Sequence, residues 1–469
     1  NCSAHSPACT GSRDSNVHVH ILGICGTLMG SIALLAKAQG HQVSGSDDQV
    51  YPPMSTQLRE ASIPLQSPYS ENSIPAGADL VVLGNAGLGR GNPAVEALLT
   101  QRIPHCSGAE FLGRYVLQDK WVIAVSGTHG KTTTASMLTW ILKEAGLDPG
   151  YLIGGVPIDM GPSAAMGSSP FFVIEADEYD TSFFDRRAKF LHYAPQTLII
   201  NNLEFDHADI YPDLASIQAQ FRQLVRLVPT HGLIIKPAEA PAIDVVLGEG
   251  CWSPVITVSL SGEPDLKAIW SEETESQFEV FDNGHRVGTV NWALAGQHNV
   301  ENALAAIAAA RHVGVPLAHA MSALSTFRGV KRRMELICRA GVIDIYDDFA
   351  HHPTAIQTTL LGLRARVGQD KIIAVIELGS YTMRGGEHAG RLSKAVGEAD
   401  QVIWFQPRDV AFDLKAIVQE THASLVHSAE ALLSLLEPQF DEQVEATHLV
   451  LMSNYQLDGF RELITERYG

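Results

Sequence analysis

The sequence contains no uninterrupted apolar run long enough to cross a bilayer, although 45% of its residues are hydrophobic. Its first residues also lack a basic stretch followed by an apolar one, which is the pattern of a secretory signal. We therefore expect a cytoplasmic protein that makes no membrane contact.

Positive charge is also scarce. The sequence has 33 lysines and arginines against 52 aspartates and glutamates, and its formal net charge is −19. A chain with this balance repels phosphate polyanions on average. We therefore expect no nucleic-acid partner.

Cysteine is sparse and scattered. The six cysteines show no paired metal-binding spacing, and in a chain of 469 residues this distribution suits reduced thiols better than a disulfide framework. They are Cys2, Cys9, Cys25, Cys106, Cys251 and Cys338.

A chain of 469 residues exceeds what one hydrophobic core usually holds, so two to three domains are expected. Three segments each begin again with a predicted strand followed by a glycine-rich or acidic turn. This repetition predicts α/β domains at residues 17–118, 119–327 and 328–469.

The most specific motif is a glycine-flanked turn at 127–134, between an apolar strand and an apolar-rich helix. Gly127 and Gly130 allow backbone N–H groups to point at phosphate oxygens, Lys131 can reach the terminal phosphates, and Thr132 can bind Mg²⁺. The glycines are closer together than in the standard P-loop. An ordinary glycine turn is the alternative, but it needs no lysine followed by three threonines. The motif predicts a nucleoside triphosphate site.

Another glycine turn lies between predicted strands at 18–22 and 42–46, an order typical of a Rossmann-like domain. Such a loop fits either a dinucleotide or another nucleotide diphosphate. The sequence shows nothing like a hydride-transfer site, which favours the second. The candidate contacts lie in the turn and after the second strand: Gly23, Cys25, Gly26, Thr27, Ser46 and Asp47.

Two strands of the central segment end in acidic residues. The first delivers Glu175 and the carboxylates after it, and the second is followed by the polar stretch 204–209, which contains His207. A cation that bridges triphosphate oxygens finds its protein ligand at such strand ends. Solvated loop charges are the alternative. Glu175 is the first choice as a Mg²⁺ ligand.

Polar residues later in the chain are candidates for the rest of a nucleotide site. Asn299 and Asn302 lie on one face of a predicted helix start, where amides can contact an adenine edge, although Asn299 is also a plausible helix cap. Arg333 ends a basic run that is either solvated or a clamp on a transferring phosphoryl group. His351 and His352 follow two aspartates at the end of a predicted strand, and ordinary loop histidines are the alternative.

Six motifs together resemble the Mur ligase family of peptidoglycan synthesis, and the resemblance covers nearly the whole chain after about residue 16. They are 23–27, 127–134, 175–178, 206–207, 298–302 and 347–353. The resemblance implies an α/β fold with a Rossmann-like N-terminal domain, a central P-loop ATPase domain and a C-terminal Rossmann-like domain. Segments 45–56, 153–157 and 201–209 are similar to the branch of the family that adds a peptide rather than L-alanine.

The resemblance implies an ATP-dependent carbon–nitrogen ligase of murein recycling. Such an enzyme phosphorylates the lactyl carboxylate of UDP-N-acetylmuramate, and the amine of L-alanyl-γ-D-glutamyl-meso-diaminopimelate attacks the acyl phosphate. ATP and Mg²⁺ are the implied cofactors, a tetra- or pentapeptide is an alternative acceptor, and a monomer or weak homodimer is expected.

The resemblance also implies residue roles. The expected catalytic residues are Lys131, Glu175, His207 and Arg333, and the expected Mg²⁺ ligands are Thr132, Glu175 and His207. The expected ATP contacts are Gly127, Thr128, His129, Gly130, Lys131, Thr132, Thr133, His298, Asn299, Asn302, Arg333, Asp347 and His351. The glycine turn at 23–27, with Ser46 and Asp47, is expected to hold the UDP diphosphate.

Two other functions stay open. One is the L-alanine ligase of de novo peptidoglycan synthesis, and the other is a nucleotide-binding regulator without catalytic activity, which the presence of all the expected catalytic residues disfavours. Segment 377–383 lacks the arginine, and the region after Met452 the glycine-rich stretch, that the peptide-adding relatives carry. The contacts to the carboxylates of the peptide therefore stay open.

Overall fold

The computed structural model describes residues 16–50, 54–85, 87–270, 276–406, 410–442 and 445–469. Residues 51–53 of the predicted segment 45–56, Cys2 and Cys9 lie outside these ranges. The other four cysteines are free thiols, as predicted.

The chain divides into two compact units. The first contains residues 16–118, 164–166 and 180–186, and the second contains 119–163, 167–179 and 187–469.

The first unit contains a parallel sheet of five strands in the order β3-β2-β1-β4-β5. The strands are β1 (His18–Leu22), β2 (Gln42–Ser46), β3 (Leu65–Gln66), β4 (Leu80–Leu83) and β5 (His105–Ser107). Its helices are α1 (Thr27–Ala38), α2 (Met54–Glu60), α3 (Pro93–Gln101) and α4 (Gly108–Phe111), which continues as a π-helical turn at Leu112–Val116. The sheet reverses its winding between β1 and β4, which is where a Rossmann-like sheet binds its ligand.

The second unit contains a central sheet and a C-terminal sheet. Strands of the middle part of the chain are β6 (Trp121–Ser126), β7 (Gly150–Leu152), β8 (Ala164–Ala165), β9 (Phe171–Glu175), β10 (Asp180–Ser182), β11 (Asp185–Ala188), β12 (Thr197–Ile200), β13 (Leu233–Pro237), β14 (Val255–Ser259), β15 (Leu266–Trp270), β16 (Gln277–Asp282) and β17 (His285–Asn291). Helices here are α5 (Lys131–Glu144), α6 (Leu214–Leu227), α7 (Pro241–Gly248), α8 (Gln297–His312) and α9 (Leu317–Leu324), with a 3₁₀ turn at Lys189–His192.

Neighbouring strand ends in the central sheet position the site. The order is β17-β16-β15-β14-β13-β12-β6-β9-β7, with parallel pairs from β7 to β15 and antiparallel pairs from β15 to β17. β6 therefore lies between β12 and β9. Because parallel strands end at the same edge, the glycine turn after β6 meets Glu175 and the polar stretch after β12 there.

The C-terminal sheet has the order β18-β19-β23-β20-β21-β22, in which β18 runs antiparallel to its neighbour. The strands are β18 (Glu335–Ala340), β19 (Ile343–Asp348), β20 (Lys371–Glu377), β21 (Gln401–Phe405), β22 (Ser424–Val426) and β23 (Thr447–Met452). The helices are α10 (Pro353–Val367), α11 (Tyr381–Gly385), α12 (Ala389–Ala395), α13 (Lys415–Glu420), α14 (Ala429–Glu442) and α15 (Phe460–Tyr468), and a 3₁₀ turn lies at Leu457–Gly459.

Strand β20 shows why this sheet is buried on both faces. Ile372 and Ile376 pack into the core under α10 and α12, whereas Ile373 and Val375 pack into the core under α14 and α15. A strand with apolar residues in both registers needs helices on both faces, which is the α/β pattern expected from the sequence. The predicted α/β fold is confirmed.

None of the helices in the described ranges combines the length and the apolar content that a membrane span needs. The domain boundaries at residues 118 and 327 stay predictions, because the central and C-terminal parts form one compact unit by their contacts.

The first unit offers a test of its packing at Gly45 in β2. A Cβ at this position would lie 2.4 Å from Ile24 Cδ1 and 2.7 Å from the carbonyl oxygen of Ile21. We expect Gly45→Ala to destabilise the first unit by about 1–3 kcal/mol, the usual effect of overpacking. Gly77→Ala is the matched control, because a Cβ at Gly77 meets open space.

All six tryptophans lie after residue 118, so hydrogen exchange of β1 and β2 is a better measure of this unit than tryptophan fluorescence. Exchange that is equally slow in both variants would contradict the packing argument.

Candidate active site

A cavity of about 1130 Å³ lies between the central sheet and the C-terminal sheet of the second unit. Its wall combines residues 128–133 of the glycine turn, the polar residues after β12, the start of α8 and the connection from β19 to α10. Most of the predicted ATP contacts line it: Thr128, His129, Gly130, Lys131, Thr132, Thr133, His298, Asn299, Asn302, Arg333 and His351. The fold thus brings together residues from three separate parts of the sequence.

The glycine turn is held by contacts that require glycine. Gly127 and Gly130 have φ values of 124° and 78°, in the region that favours glycine. A Cβ at Gly130 would lie 2.4 Å from Asn302 Oδ1, and one at Gly127 would lie 3.0 Å from the backbone nitrogen of Asn202. The turn therefore packs directly on the segment after β12 and on α8.

Lys131 lies at the first position of α5, with its ammonium group inside the site. It donates to the carbonyl of Gly127 at 2.7 Å and to Glu178 Oε2 at 3.1 Å. Burial opposes its charge, but Glu178 and Asp177 raise the pKa of Lys131. The ammonium group is therefore charged and close to the turn that would hold phosphates.

Glu175 lies at the end of β9, at the same edge of the sheet as the glycine turn. Its Oε2 accepts a hydrogen bond from the backbone N–H of Gly154, and a Cβ at Gly154 would overlap that oxygen. Its Oε1 is buried and has no hydrogen-bond partner among the described residues. Burial raises the pKa of Glu175. A buried carboxylate oxygen without a partner fits a site for a hard cation.

A second acidic group lies beside Lys131. Ligand atoms of Asp177, Glu178 and His207 lie within 4.8 Å of one another, and His207 Nε2 is 3.4 Å from Glu178 Oε1. Burial disfavours the charged imidazole, but Glu178 and Asp206 raise the pKa of His207 to about 9. Glu175 was predicted as a Mg²⁺ ligand, whereas Glu178, three residues later in the same acidic stretch, was not predicted individually.

The predicted adenine contacts have structural partners of their own. Asn302 Oδ1 accepts from the Thr134 hydroxyl at 3.1 Å, so this amide is hydrogen-bonded to the last residue of the glycine turn. The side chain of Asn299 donates to the carbonyl of Ala295 at 2.7 Å. Asn299 therefore does not cap α8, whose N-cap residue is Gly296 and has no side-chain capping bond, and the adenine role stays a prediction for both residues.

Arg333 reaches the glycine turn from the C-terminal part of the chain. Its guanidinium donates to the hydroxyl of Thr132 at 3.4 Å. Asp347, in contrast, does not line the cavity. Its carboxylate pairs with Arg461 at 2.6 Å and with Arg332 at 3.2 Å, whereas the next residue, Asp348, lines the cavity wall. The structure therefore gives Asp348 the place that the sequence analysis gave Asp347.

His129, Glu204 and His352 are also close enough to suggest a metal site. Burial lowers the pKa of both imidazoles, to about 3 for His352. His352 Nδ1 accepts from the backbone N–H of Thr354 at 3.3 Å, so the neutral ring carries its proton on Nε2. A protonated nitrogen offers no lone pair, and the group does not fit a cation as it stands.

The predicted UDP contacts lie together in the first unit. Asp47 accepts from the backbone N–H of Cys25 at 2.8 Å, which fixes the glycine turn against the end of β2, and Gly23 has a φ of 81°. Ser46 is different, because its hydroxyl is fully buried and contacts His20 Nε2 at 3.1 Å. The Ser46 side chain is therefore not open to a ligand, contrary to the prediction.

Of the residues predicted to bind ATP or Mg²⁺ or to act in catalysis, Gly127, Glu175 and Asp347 lie outside the cavity lining. Asp177, Glu178, Glu204, Asp206 and Asp348 were not predicted individually, although each lies in a stretch that was: 175–178, 204–209 or 347–353. The sequence feature that could have indicated Glu178 is its place in the acidic stretch after β9. The feature that could have indicated Asp206 is its position next to His207, in the polar stretch after β12.

Comparisons with known proteins agree with this arrangement. The model of the Mur ligase family catalytic domain matches residues 18–120, that of the Mur ligase middle domain matches 125–310, and that of the Mur ligase glutamate ligase domain matches 332–453.

Two curated relatives extend over most of the chain. UDP-N-acetylmuramate--L-alanyl-gamma-D-glutamyl-meso-2,6-diaminoheptandioate ligase of Escherichia coli (strain K12) is 47% identical over 96% of this chain and 98% of that protein. UDP-N-acetylmuramate--L-alanine ligase of Desulfitobacterium hafniense (strain Y51) is 33% identical over 90% of each.

A solved structure shows the same relationship. The murein peptide ligase of Psychrobacter arcticus is 41% identical, covers 96% of this chain and 98% of its own, and superposes with a TM-score of 0.75. The chain therefore belongs to the Mur ligase family, whose members are ATP-dependent ligases that form amide bonds.

Proposed function

We propose that this ligase joins UDP-N-acetylmuramate to L-alanyl-γ-D-glutamyl-meso-diaminopimelate, with ATP and Mg²⁺, in the recycling of murein. The full-length similarity to the E. coli ligase named for these substrates supports the substrate pair. The observation that carries the chemistry is the convergence of Lys131, Thr132, Glu175 and His207 at one edge of the central sheet.

Lys131 and the backbone of the glycine turn would bind the triphosphate. In the structure the ammonium group of Lys131 is paired with Glu178, so a bound γ-phosphate would replace that carboxylate as its partner. An anion at the start of α5 also gains from the unpaired N–H groups of the first helical turn. The turn would therefore bind and orient phosphates through Lys131 and these N–H groups.

Two positions fit Mg²⁺. Thr132 and the unpartnered Oε1 of Glu175 would hold one ion next to the triphosphate, and His207, after its imidazole has released a proton, would hold a second beside Asp177 and Glu178. Bound Mg²⁺ supplies positive charge that stabilises the phosphoryl group in transfer. Arg333 adds charge from the C-terminal part at the hydroxyl of Thr132.

The glycine turn of the first unit would bind the UDP diphosphate. Gly23, Cys25, Gly26 and Thr27 lie where β1 meets α1, at the point where the sheet reverses its winding. Asp47 stabilises this turn through the N–H of Cys25, so its role is in shaping the turn.

The acceptor is tested by measuring ATP-dependent phosphate release with UDP-N-acetylmuramate and either the tripeptide or L-alanine. We expect kcat/KM to favour the tripeptide, because the E. coli relative named for it is 47% identical, whereas the D. hafniense L-alanine ligase is 33% identical. A clear preference for L-alanine would assign the chain to the alternative reaction. No release with either acceptor would support the regulator.

The phosphate site is tested with Lys131→Ala. We expect this variant to lose a factor of about 100 or more in kcat, as when one preorganised donor to a developing charge is removed. Lys143→Ala, on the same helix α5 but over the ring of Tyr151, is the matched control and should keep the wild-type rate. Equal rates in the two variants would rule out the assigned role of Lys131.

The contact between Glu178 and His207 gives a titration that needs no substrate. Glu178 raises the pKa of His207 to about 9, so Glu178→Gln removes both the charge and the charged acceptor and should lower the pKa of His207 towards the ordinary histidine value. Glu301→Gln is the control, since Glu301 lines the same cavity but bonds Gln297. Imidazole NMR titration measures both, and an unchanged His207 in Glu178→Gln would contradict the contact.

A further inference from the structure

His207 lies in a turn whose neighbouring residues are hydrogen-bonded to the C-terminal part of the chain. Its φ is 58°, which is uncommon for a residue with a Cβ and therefore needs support from its surroundings. Part of that support is local, since Asp206 Oδ1 accepts from the backbone N–H of His207 at 2.8 Å. The carbonyl of His207 also accepts from the backbone N–H of Tyr211 at 2.9 Å.

The remaining support is the hydroxyl of Thr382. It donates to Asp206 Oδ1 at 3.1 Å and accepts from the backbone N–H of Ala208 at 3.3 Å. One oxygen thus bonds both neighbours of His207 and bridges the turn from which the imidazole projects towards Glu178. Thr382 is 3% exposed, so water does not compete for these bonds.

The segment that carries Thr382 is anchored in the C-terminal part of the chain. Thr382 is in the first turn of α11, where the side chain of Ser380 accepts from the backbone N–H of Met383 at 3.2 Å. Met383 is buried in the core of the C-terminal sheet. The position of the Thr382 hydroxyl is therefore set by the C-terminal core, and its bonds with residues 206 and 208 form when that part is docked.

We infer that Thr382 is a positioning residue for His207, which makes the geometry of the metal site depend on docking of the C-terminal part. This inference rests on the proposed function, because it takes His207 as a Mg²⁺ ligand.

The test is the free Mg²⁺ concentration that gives half-saturation, measured by phosphate release with saturating ATP, UDP-N-acetylmuramate and tripeptide and, without turnover, by the change in the His207 imidazole NMR signal on titration with Mg²⁺ in the presence of ADP. Thr382→Val keeps the shape of the side chain and removes the hydroxyl. We expect it to raise the half-saturating Mg²⁺ concentration by about tenfold or more, the usual effect of losing a residue that orients a metal ligand. The KM for ATP should stay at the wild-type value, because Thr382 does not contact the glycine turn.

Two variants separate this role from general packing. Thr382→Ser keeps the hydroxyl and should restore the wild-type Mg²⁺ dependence. Thr354→Val is the matched control, because the Thr354 hydroxyl also bonds the polar stretch after β12, at Glu204 Oε2 and 2.8 Å, but does not touch the turn at His207. It should leave the Mg²⁺ dependence unchanged.

The inference is overturned if Thr382→Val keeps the wild-type Mg²⁺ dependence, if Thr382→Ser is shifted as much as the valine variant, or if Thr354→Val shows the same shift. Thermal unfolding checks that each variant is folded. If Thr382→Val does not fold, Thr382→Ala removes the same hydroxyl without the extra methyl group and is measured in its place.

His207→Ala, measured in parallel, distinguishes failure of the inference from failure of the proposed function. An unchanged Mg²⁺ dependence in His207→Ala would remove the metal role of His207 and the inference with it. A shift in His207→Ala without a shift in Thr382→Val would overturn the positioning role alone.

Discussion

The site depends on one constraint of the central sheet, which is that β6 lies between β12 and β9 and runs parallel to both. Their carboxyl ends meet at one edge, so the glycine turn, Glu175 and the stretch around His207 become neighbours although up to 80 residues separate them in the sequence. A shift of β9 by one residue would turn Glu175 to the other face of the sheet. The alignment of these three strands thus determines which side chains reach the phosphates.

The close approach of backbone and side chains at this edge explains why Gly130 and Gly154 are glycines. Gly130 meets the amide oxygen of Asn302, and Gly154 meets a carboxylate oxygen of Glu175. In both places the backbone approaches a polar side chain closely enough to exclude a Cβ. These contacts hold the amide and the carboxylate in fixed positions, so binding of phosphate would require little reorganisation of the site.

The sequence was sufficient to predict several strands and the meeting of the glycine turn, the start of α8 and Arg333 at one cavity, but not which of two adjacent acids would face it. The predicted strands at 18–22 and 42–46 have the observed bounds. Asp347 and Asp348 show the limit. Successive residues of a strand face opposite sides, so only the register of β19 decides that Asp347 pairs with Arg461 while Asp348 lines the cavity.

Glu178 was missed for a related reason. It follows β9 in an irregular segment, where no periodicity indicates the direction of a side chain, and its contacts are with Lys131 and His207 from other parts of the chain. The contacts of Thr382 likewise cannot be read from the sequence, because its partners are more than 170 residues away.

Charge balance connects these observations. Glu175, Asp177, Glu178 and Asp206 place four carboxyl groups around the site, and the structure compensates most of them internally, through Lys131, Lys189 and His207. Against burial, Lys131 and His207 hold the pKa of Glu178 below its ordinary value, which keeps that carboxylate charged. Buried carboxylates that lose their cationic partners are costly. In the proposed function Lys131 and His207 would pair with phosphate and metal instead, and a divalent cation bound together with the triphosphate would supply the positive charge that the acidic group loses.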